Sequence, residues 1–403
     1  MYKKIFKLIL ENISFLYSIL SCLNIFFILR KKKINVFISP EGGFGPTILK
    51  PIMLSCFYRE QSNFVLIFGY HPNRHNILIS KLFGENFLWL KLSNKFFPFS
   101  LINEKKKYFV FQILTYLLKN FSKVEKVEDF NKFFCEYLKI PNLPEQSESH
   151  FGTYRKVHQF INQNEKFISY KSDYFNFIKN KKNFKIYDKK CVIFIRGAKN
   201  QKDSTKSSRN SDILKSYKTS IIENIKKGWQ FFLSGDVEIQ EDWIKNFGDK
   251  IIFAKKTNFN LDEYNLFSGL IADCFVSTGS GPTNWKFFDT NKPFLVLDGY
   301  PIGMGWYKST VAYKIVYKKN FKNINEIFED KSMSFNPPIE CRFTNEQQKE
   351  KILTEFLNFQ QYGRVLGLSG EELNLEENSI LNCGFAKASK TWCEIQESIL
   401  NTE

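Results

Sequence analysis

The chain has 403 residues, a formal net charge of +17, 43% hydrophobic residues and 17% aromatic ones. Such an apolar content excludes a disordered chain, and the length allows roughly two to three domains of ordinary size. The positive charge invites an anionic partner, whether nucleic acid, a membrane surface or a phosphorylated substrate. However, Lys, Asn, Ile and Phe rise together, as an AT-rich genome would write them. The excess of Lys over Arg also argues against a nucleic-acid reader, which relies on Arg forks.

The first segment, residues 1–33, is distinct. Asn12 to Leu29 carries no charge; Lys3, Lys4 and Lys7 precede it, and Arg30, Lys31, Lys32 and Lys33 follow it. Its length is borderline for a bilayer span, which needs about 20 apolar residues. Lys4, Lys7, Glu11, Ser14, Ser18 and Ser21 recur at helical steps and form one narrow polar stripe. That pattern favours a helix in a membrane interface, or one packed on the protein, over a span. No small-residue cleavage site is evident, and the basic cluster at 30–33 would face the cytoplasm.

From Ile34 the pattern alternates. Ile34–Ser39 reads as a buried strand ended by Pro40-Glu41-Gly42-Gly43-Phe44-Gly45-Pro46-Thr47, with a helix over 48–56. Phe64–Phe68 is a second strand ended by Gly69-Tyr70-His71, 77–83 is helical, and 87–92 is a third strand. Residues 104–180 carry helical patterns broken near 141–149. A second alternating block has strands at 191–195, 229–233, 251–254, 272–277 and 294–297, with helices at 212–227 and 262–270. The tail from about 345 is mostly helical. Alternation of this kind predicts parallel sheets. The expected fold is α/β, with two Rossmann-like domains facing a cleft. The expected divisions are 1–33 (a membrane-associating amphipathic helix), 34–183, 184–345 and 346–403 (C-terminal helices).

Ligands of parallel α/β sheets bind at the carboxyl ends of strands. Here Arg196 follows one strand, Gly235-Asp236 ends another, and Thr278-Gly279-Ser280-Gly281-Pro282 joins a third to a helix. Two glycines leave room for close backbone approach, and Pro282 suits a first helical turn whose free N–H groups can hold a phosphate. Arg209 and Asn210 stand before the next helix and add a guanidinium fork and a cap. Such turns are also common as plain structure. No Walker sequence, G-x-G-x-x-G, D-x-D or H-E-x-x-H occurs, and the eight cysteines form no C-x-x-C pair. No metal or cofactor is expected, and the cysteines read as buried free thiols.

Taken together, Arg196, Arg209-Asn210-Ser211-Asp212-Ile213 with Tyr217, Gly228-Trp229, Gly235-Asp236 and Asp273-Cys274-Phe275 running into Thr278–Pro282 resemble a family of bacterial surface-polysaccharide glycosyltransferases of GT-B type. The resemblance covers 188–305 well and 34–80 loosely. It implies an inverting, metal-independent enzyme that moves a sugar from a nucleotide-sugar to a surface-glycan or lipid-linked acceptor. The work would be done at the cytoplasmic face of the inner membrane, with no nucleic acid involved. It further implies that Gly42, Gly43, Phe44, Gly45 and Thr47 form the loop facing acceptor and donor sugar. Related chains often carry a His just after this turn, where this one has Pro46. Glu41 and His71 are then the candidates to take the acceptor hydroxyl's proton. A nucleotide-sugar epimerase of the same fold and a non-enzymatic membrane-surface binder are the competing readings.

Overall fold

The structure is a computed structural model. It describes residues 2–39, 44–59, 64–68, 87–92, 96–97, 99–140, 151–168, 172–195, 213–235, 245–277, 292–299, 309–313, 315–317, 322–324, 326, 341–342, 344–358 and 387–402. Two compact units emerge: Met1–Leu143 with Lys166–Phe175, and Pro144–Glu165 with Asn176–Glu403.

In the first unit, β1 (Asn35–Ser39), β2 (Phe64–Phe68), β3 (Phe87–Lys91) and β4 (Lys126–Asp129) form a parallel sheet of order β3-β2-β1-β4. Successive side chains of β1 point to opposite faces, and both faces are covered. Val36 and Ile38 join Val65 and Ile67 in a core with Cys22, Ile25 and Leu29 of helix α1 (Tyr2–Leu29). Helix α2 (Phe44–Tyr58) follows β1, and α3 (Glu104–Phe121) adds Val110, Leu114 and Leu118 to the α1 side of the core. On the opposite face Phe37 meets Tyr58 of α2, and Phe130 and Phe133 of α4 (Phe130–Leu138), ring edge to ring face. β4 was not expected from sequence. It is an edge strand in which Val127 alone is buried, so Lys126-Val127-Glu128-Asp129 carries almost no apolar signal.

Helices α5 (Phe151–Gln163) and α6 (Ser172–Asn180) lead into the second sheet. It comprises β5 (Lys189–Ile195), β6 (Trp229–Gly235), β7 (Ile251–Phe253), β8 (Cys274–Ser277), β9 (Phe294–Gly299) and β10 (Ser309–Tyr313). β11 (Ile315–Val316) pairs antiparallel with β12 (Cys341–Arg342), and β13 (Lys387–Ala388) closes the edge of the large sheet beside β10. The large sheet's order is β13-β10-β9-β8-β5-β6-β7, parallel throughout. Helix α7 (Ile213–Lys226) links β5 to β6, and α8 (Leu261–Ile271) precedes β8 behind an Asn260/Glu263 capping box.

The C-terminal helices α9 (Glu346–Leu357) and α10 (Lys390–Thr402) belong to this unit. The Glu355 carboxylate accepts hydrogen bonds from Lys390 N (3.0 Å) and Thr391 N (2.8 Å), capping α10 from α9. Residues 176–183, placed before the expected division at 184, fall in this unit together with 184–188. Lys185 N donates to Asp249 (2.9 Å), and Lys181 pairs with the largely buried Glu263 (2.5 Å).

Candidate functional site

Each sheet contains a point where the chain order reverses. In the second unit, the chain leaves β5 to build β6 and β7 on one side, then returns to place β8, β9 and β10 on the other. β5 and β8 are therefore neighbours whose connections run in opposite directions, the arrangement that opens a ligand crevice in parallel sheets. The register is close: Phe194 pairs with Ser277, and Ile195 pairs with Gly235. Thus β5, β6 and β8 end level with one another, and the next residues in sequence are Arg196, Asp236 and Thr278. In the first unit the reversal lies between β1 and β4, and Glu41-Gly42-Gly43 come just after β1.

Of the expected site residues, Gly235 is the last residue of β6. Glu41, Gly42, Gly43, His71, Arg196, Arg209, Asn210, Asp236, Thr278, Gly279, Ser280, Gly281 and Pro282 lie outside the described residues. Phe44, Gly45 and Thr47 were expected in a loop but belong to the first turn of α2. The helix starts four residues before the expected Ile48. The first turn's N–H groups have no intrahelical partner, so Pro46 and its missing N–H are accommodated there. The loop after β1 is correspondingly shorter.

Two groups of described residues at these strand ends escaped the sequence reading. β9 runs past the end of β8, and Asp298 is an extra residue between the Leu297–Ala312 and Gly299–Tyr313 pairs. Its backbone is left-handed (φ 49°), which Asp tolerates better than most residues. This bulge accompanies a buried carboxylate. Oδ1 accepts from Thr344 N (3.0 Å) and Thr344 Oγ1 (2.9 Å), and Oδ2 pairs with Lys349 Nζ (3.1 Å). The Lys349 ammonium also lies 5.1 Å from the centre of the Tyr217 ring. Burial first, and the Asp298 carboxylate second, push the Tyr217 hydroxyl well above its ordinary pKa. Asp298 thus ties the end of β9 to α9, beside α7.

In the first unit, Lys50 of α2 is fully buried, and its Nζ donates to Ser39 Oγ at the end of β1 (2.6 Å). The ammonium lies 5.4 Å from the centre of the Phe130 ring. The available signal was a single cation inside Ile48-Leu49-Lys50-Pro51-Ile52-Met53-Leu54.

Other polar groups brace the large sheet. The Tyr264 hydroxyl lies between Leu233 O (2.9 Å) and Ile252 O (2.8 Å) and shares its one proton with them, and Ser234 bonds Asn265, so α8 holds the carboxyl ends of β6 and β7. Asp273, part of the motif resemblance, lies at the opposite end. It precedes β8 and accepts from Lys190 N (2.7 Å). Its neighbour Cys274 is in register with Cys191, and burial raises the Cys274 thiol well above its ordinary pKa. Cys22, Cys56, Cys135, Cys191, Cys274 and Cys393 are free thiols.

No protein-family model and no curated protein sequence matches the chain. Solved structures are similar to it in part. A glycosyl transferase family 9 structure from Veillonella parvula DSM 2008 aligns at TM-score 0.44 and 11% identity, over 81% of this chain and 97% of that one. The E. coli heptosyltransferase WaaC with ADP aligns at TM-score 0.38 and 10% identity, over 70% of this chain and 93% of that one. The wall teichoic acid polymerase TagF aligns at TM-score 0.33 and 11% identity, over 92% and 89%.

Proposed function

We propose that the protein is a glycosyltransferase that moves a sugar from a nucleotide-sugar to a surface-glycan or lipid-linked acceptor at the cytoplasmic face of the inner membrane. The observation that carries the reading is the β5/β8 reversal, whose level strand ends run directly into Arg196, Asp236 and Thr278-Gly279-Ser280-Gly281-Pro282. A Gly-rich turn at such a point offers free N–H groups to a diphosphate, and two arginines within one segment offer forked, charged hydrogen bonds.

In this reading the second unit holds the donor. Arg196, Arg209 and the Ser280–Pro282 turn neutralise the diphosphate as it leaves, without a metal. The acceptor hydroxyl displaces it at the anomeric carbon with inversion, and Glu41 or His71 takes the hydroxyl's proton.

A thermal-shift screen against UDP, GDP, CMP, dTDP and ADP tests the class of ligand, since a nucleotide that binds the folded chain raises its midpoint by mass action. Arg196→Ala and Arg209→Ala should each weaken the stabilising nucleotide by about 1–3 kcal/mol in calorimetry, the range for losing a charged hydrogen bond. No stabilisation by any of the five, or wild-type affinity in both variants, refutes this donor site.

A further inference from the structure

Helix α1 is apolar on its exposed face as well as in its core contacts, where Cys22, Ile25 and Leu29 are buried. Its buried face carries Ser14 and Ser18, and half-buried Glu11 continues the same stripe. Its exposed face is apolar along its full length: Tyr2, Phe6, Ile9, Ile13, Leu16, Leu20, Leu23 and Phe27 follow at alternating steps of four and three. Leu16 and Leu20 are 61% and 64% exposed. We propose that this face, together with the outer side of α3, seats the protein on an anionic lipid bilayer, with α1 lying in the plane of the interface.

Three observations support this. First, the polar stripe is used internally from Glu11 onward, while its Lys4 and Lys7 stay exposed on the side away from the apolar face. Glu11 accepts from Lys106 Nζ (3.1 Å) and Asn103 Nδ2 (2.7 Å), and Lys106 also donates to Asn12 (2.8 Å). Further along, Cys22 Sγ approaches Val110 O (3.6 Å), and Lys123 N donates to Arg30 O (2.7 Å). The helix is therefore fastened to α3 from Glu11 to Arg30. If α1 crossed a bilayer, it would draw Glu104, Lys105, Lys107, Gln112 and Lys119 of α3 into hydrocarbon, where charges are costly.

Second, α3 extends the surface. Tyr108, Phe109 and Tyr116 are exposed on α3, with Lys105 and Lys119 also exposed, and the Phe109 ring lies 6.2 Å from Phe15 of α1. Tyr, Phe and Lys on one strip is the composition of a headgroup-level surface. Third, the charge is complementary. Arg30, Lys31, Lys32 and Lys33, where the face ends, are all exposed, and the Arg30 guanidinium lies 4.9 Å from the centre of the Phe27 ring on that face. A second copy docked on the same face would bring these like charges together, whereas acidic headgroups neutralise them. The inference deepens the membrane location of the reading above, and its test reads lipid binding, which can succeed or fail independently of the reaction.

Flotation of the full chain with vesicles tests it. Phosphatidylglycerol-rich vesicles should carry the protein up, and pure phosphatidylcholine vesicles should carry much less. Leu16→Glu/Leu20→Glu should lower partitioning more than tenfold, and Tyr108→Ser/Tyr116→Ser should lower it several-fold. Lys32→Gln and Lys33→Gln should each cost about fivefold, the affinity change for one basic residue near an anionic surface.

Depth is read separately, with Phe6→Trp, Ile13→Trp, Leu20→Trp and Phe27→Trp. Their added fluorescence should be quenched alike by shallowly brominated lipid. Quenching that is deep at 13 and 20 but shallow at 6 and 27 would mean a span and overturn the proposal. So would wild-type flotation of the Leu16/Leu20 variant. A dimer in free solution that the same variant disperses would assign the face to a second copy instead.

Discussion

Asp298 shows how one side chain can organise the carboxyl end of a strand. Its carboxylate and the Lys349 ammonium are both removed from water, so neither can lose its partner cheaply. Lys349→Met leaves an uncompensated buried carboxylate and should destabilise the protein by about 3–5 kcal/mol, read from denaturant unfolding. Adding Asp298→Asn should recover most of that loss. Asn keeps an oxygen for the Thr344 bonds, adopts left-handed backbone readily and carries no charge. A double variant no more stable than Lys349→Met alone would show that shape, and not the buried charge, sets the cost. Lys50 of α2 is the corresponding buried cation of the first unit, bonded to Ser39 at the end of β1, just before the Glu41-Gly42-Gly43 segment.

At the scale of elements, helix α1 separates what its sequence reveals from what its partners decide. Protonation probes the attachment of α1 to α3. The hydrogen bond from Lys106 first, then the charge of Lys106 and the bonds from Asn103, outweigh desolvation and hold Glu11 below the ordinary carboxylate range. A lowered carboxylate pKa contributes stability above the unfolded value, about 4.3. That contribution is lost as pH falls through the folded value. The thermal midpoint of the wild type should therefore exceed that of Glu11→Gln by a constant margin above about pH 5. The margin should shrink toward zero as the pH drops below 4, and a pH-independent margin would mean that the charge on Glu11 is irrelevant.

The polar stripe itself was legible, because helical spacing depends only on neighbours in the chain. Its inward orientation was not, because Lys106 lies 95 residues from Glu11. Runs such as Cys191–Phe194 were legible because both faces are buried and the residues are apolar throughout. β4 and β13 were not, as edge strands of four and two residues. The strand-end positions of the candidate site followed from the alternation of elements. The Asp298–Thr344 contact did not, since it joins residues 46 apart through a bulge.

At the scale of the molecule, two parallel sheets each contain an order reversal, so either unit has the topology to bind a ligand. Chemistry favours the second for the proposed donor. Residues 196–213 and 278–282 there supply Arg196, Arg209 and a Gly-rich turn into a helix. The segment after β1 supplies Glu41, an anion that would repel a diphosphate. Hydrogen exchange with a stabilising nucleotide separates the two possibilities. Protection should concentrate in 196–213, 236–244 and 278–291, where amides meet the phosphates, and should be small in 40–48. Protection confined to 40–48 would reverse the assignment of donor and acceptor units, because a ligand slows exchange most where its own contacts oppose local opening. Protection in both would mean that the nucleotide engages both reversals, and Arg196→Ala should then abolish it in the second unit alone.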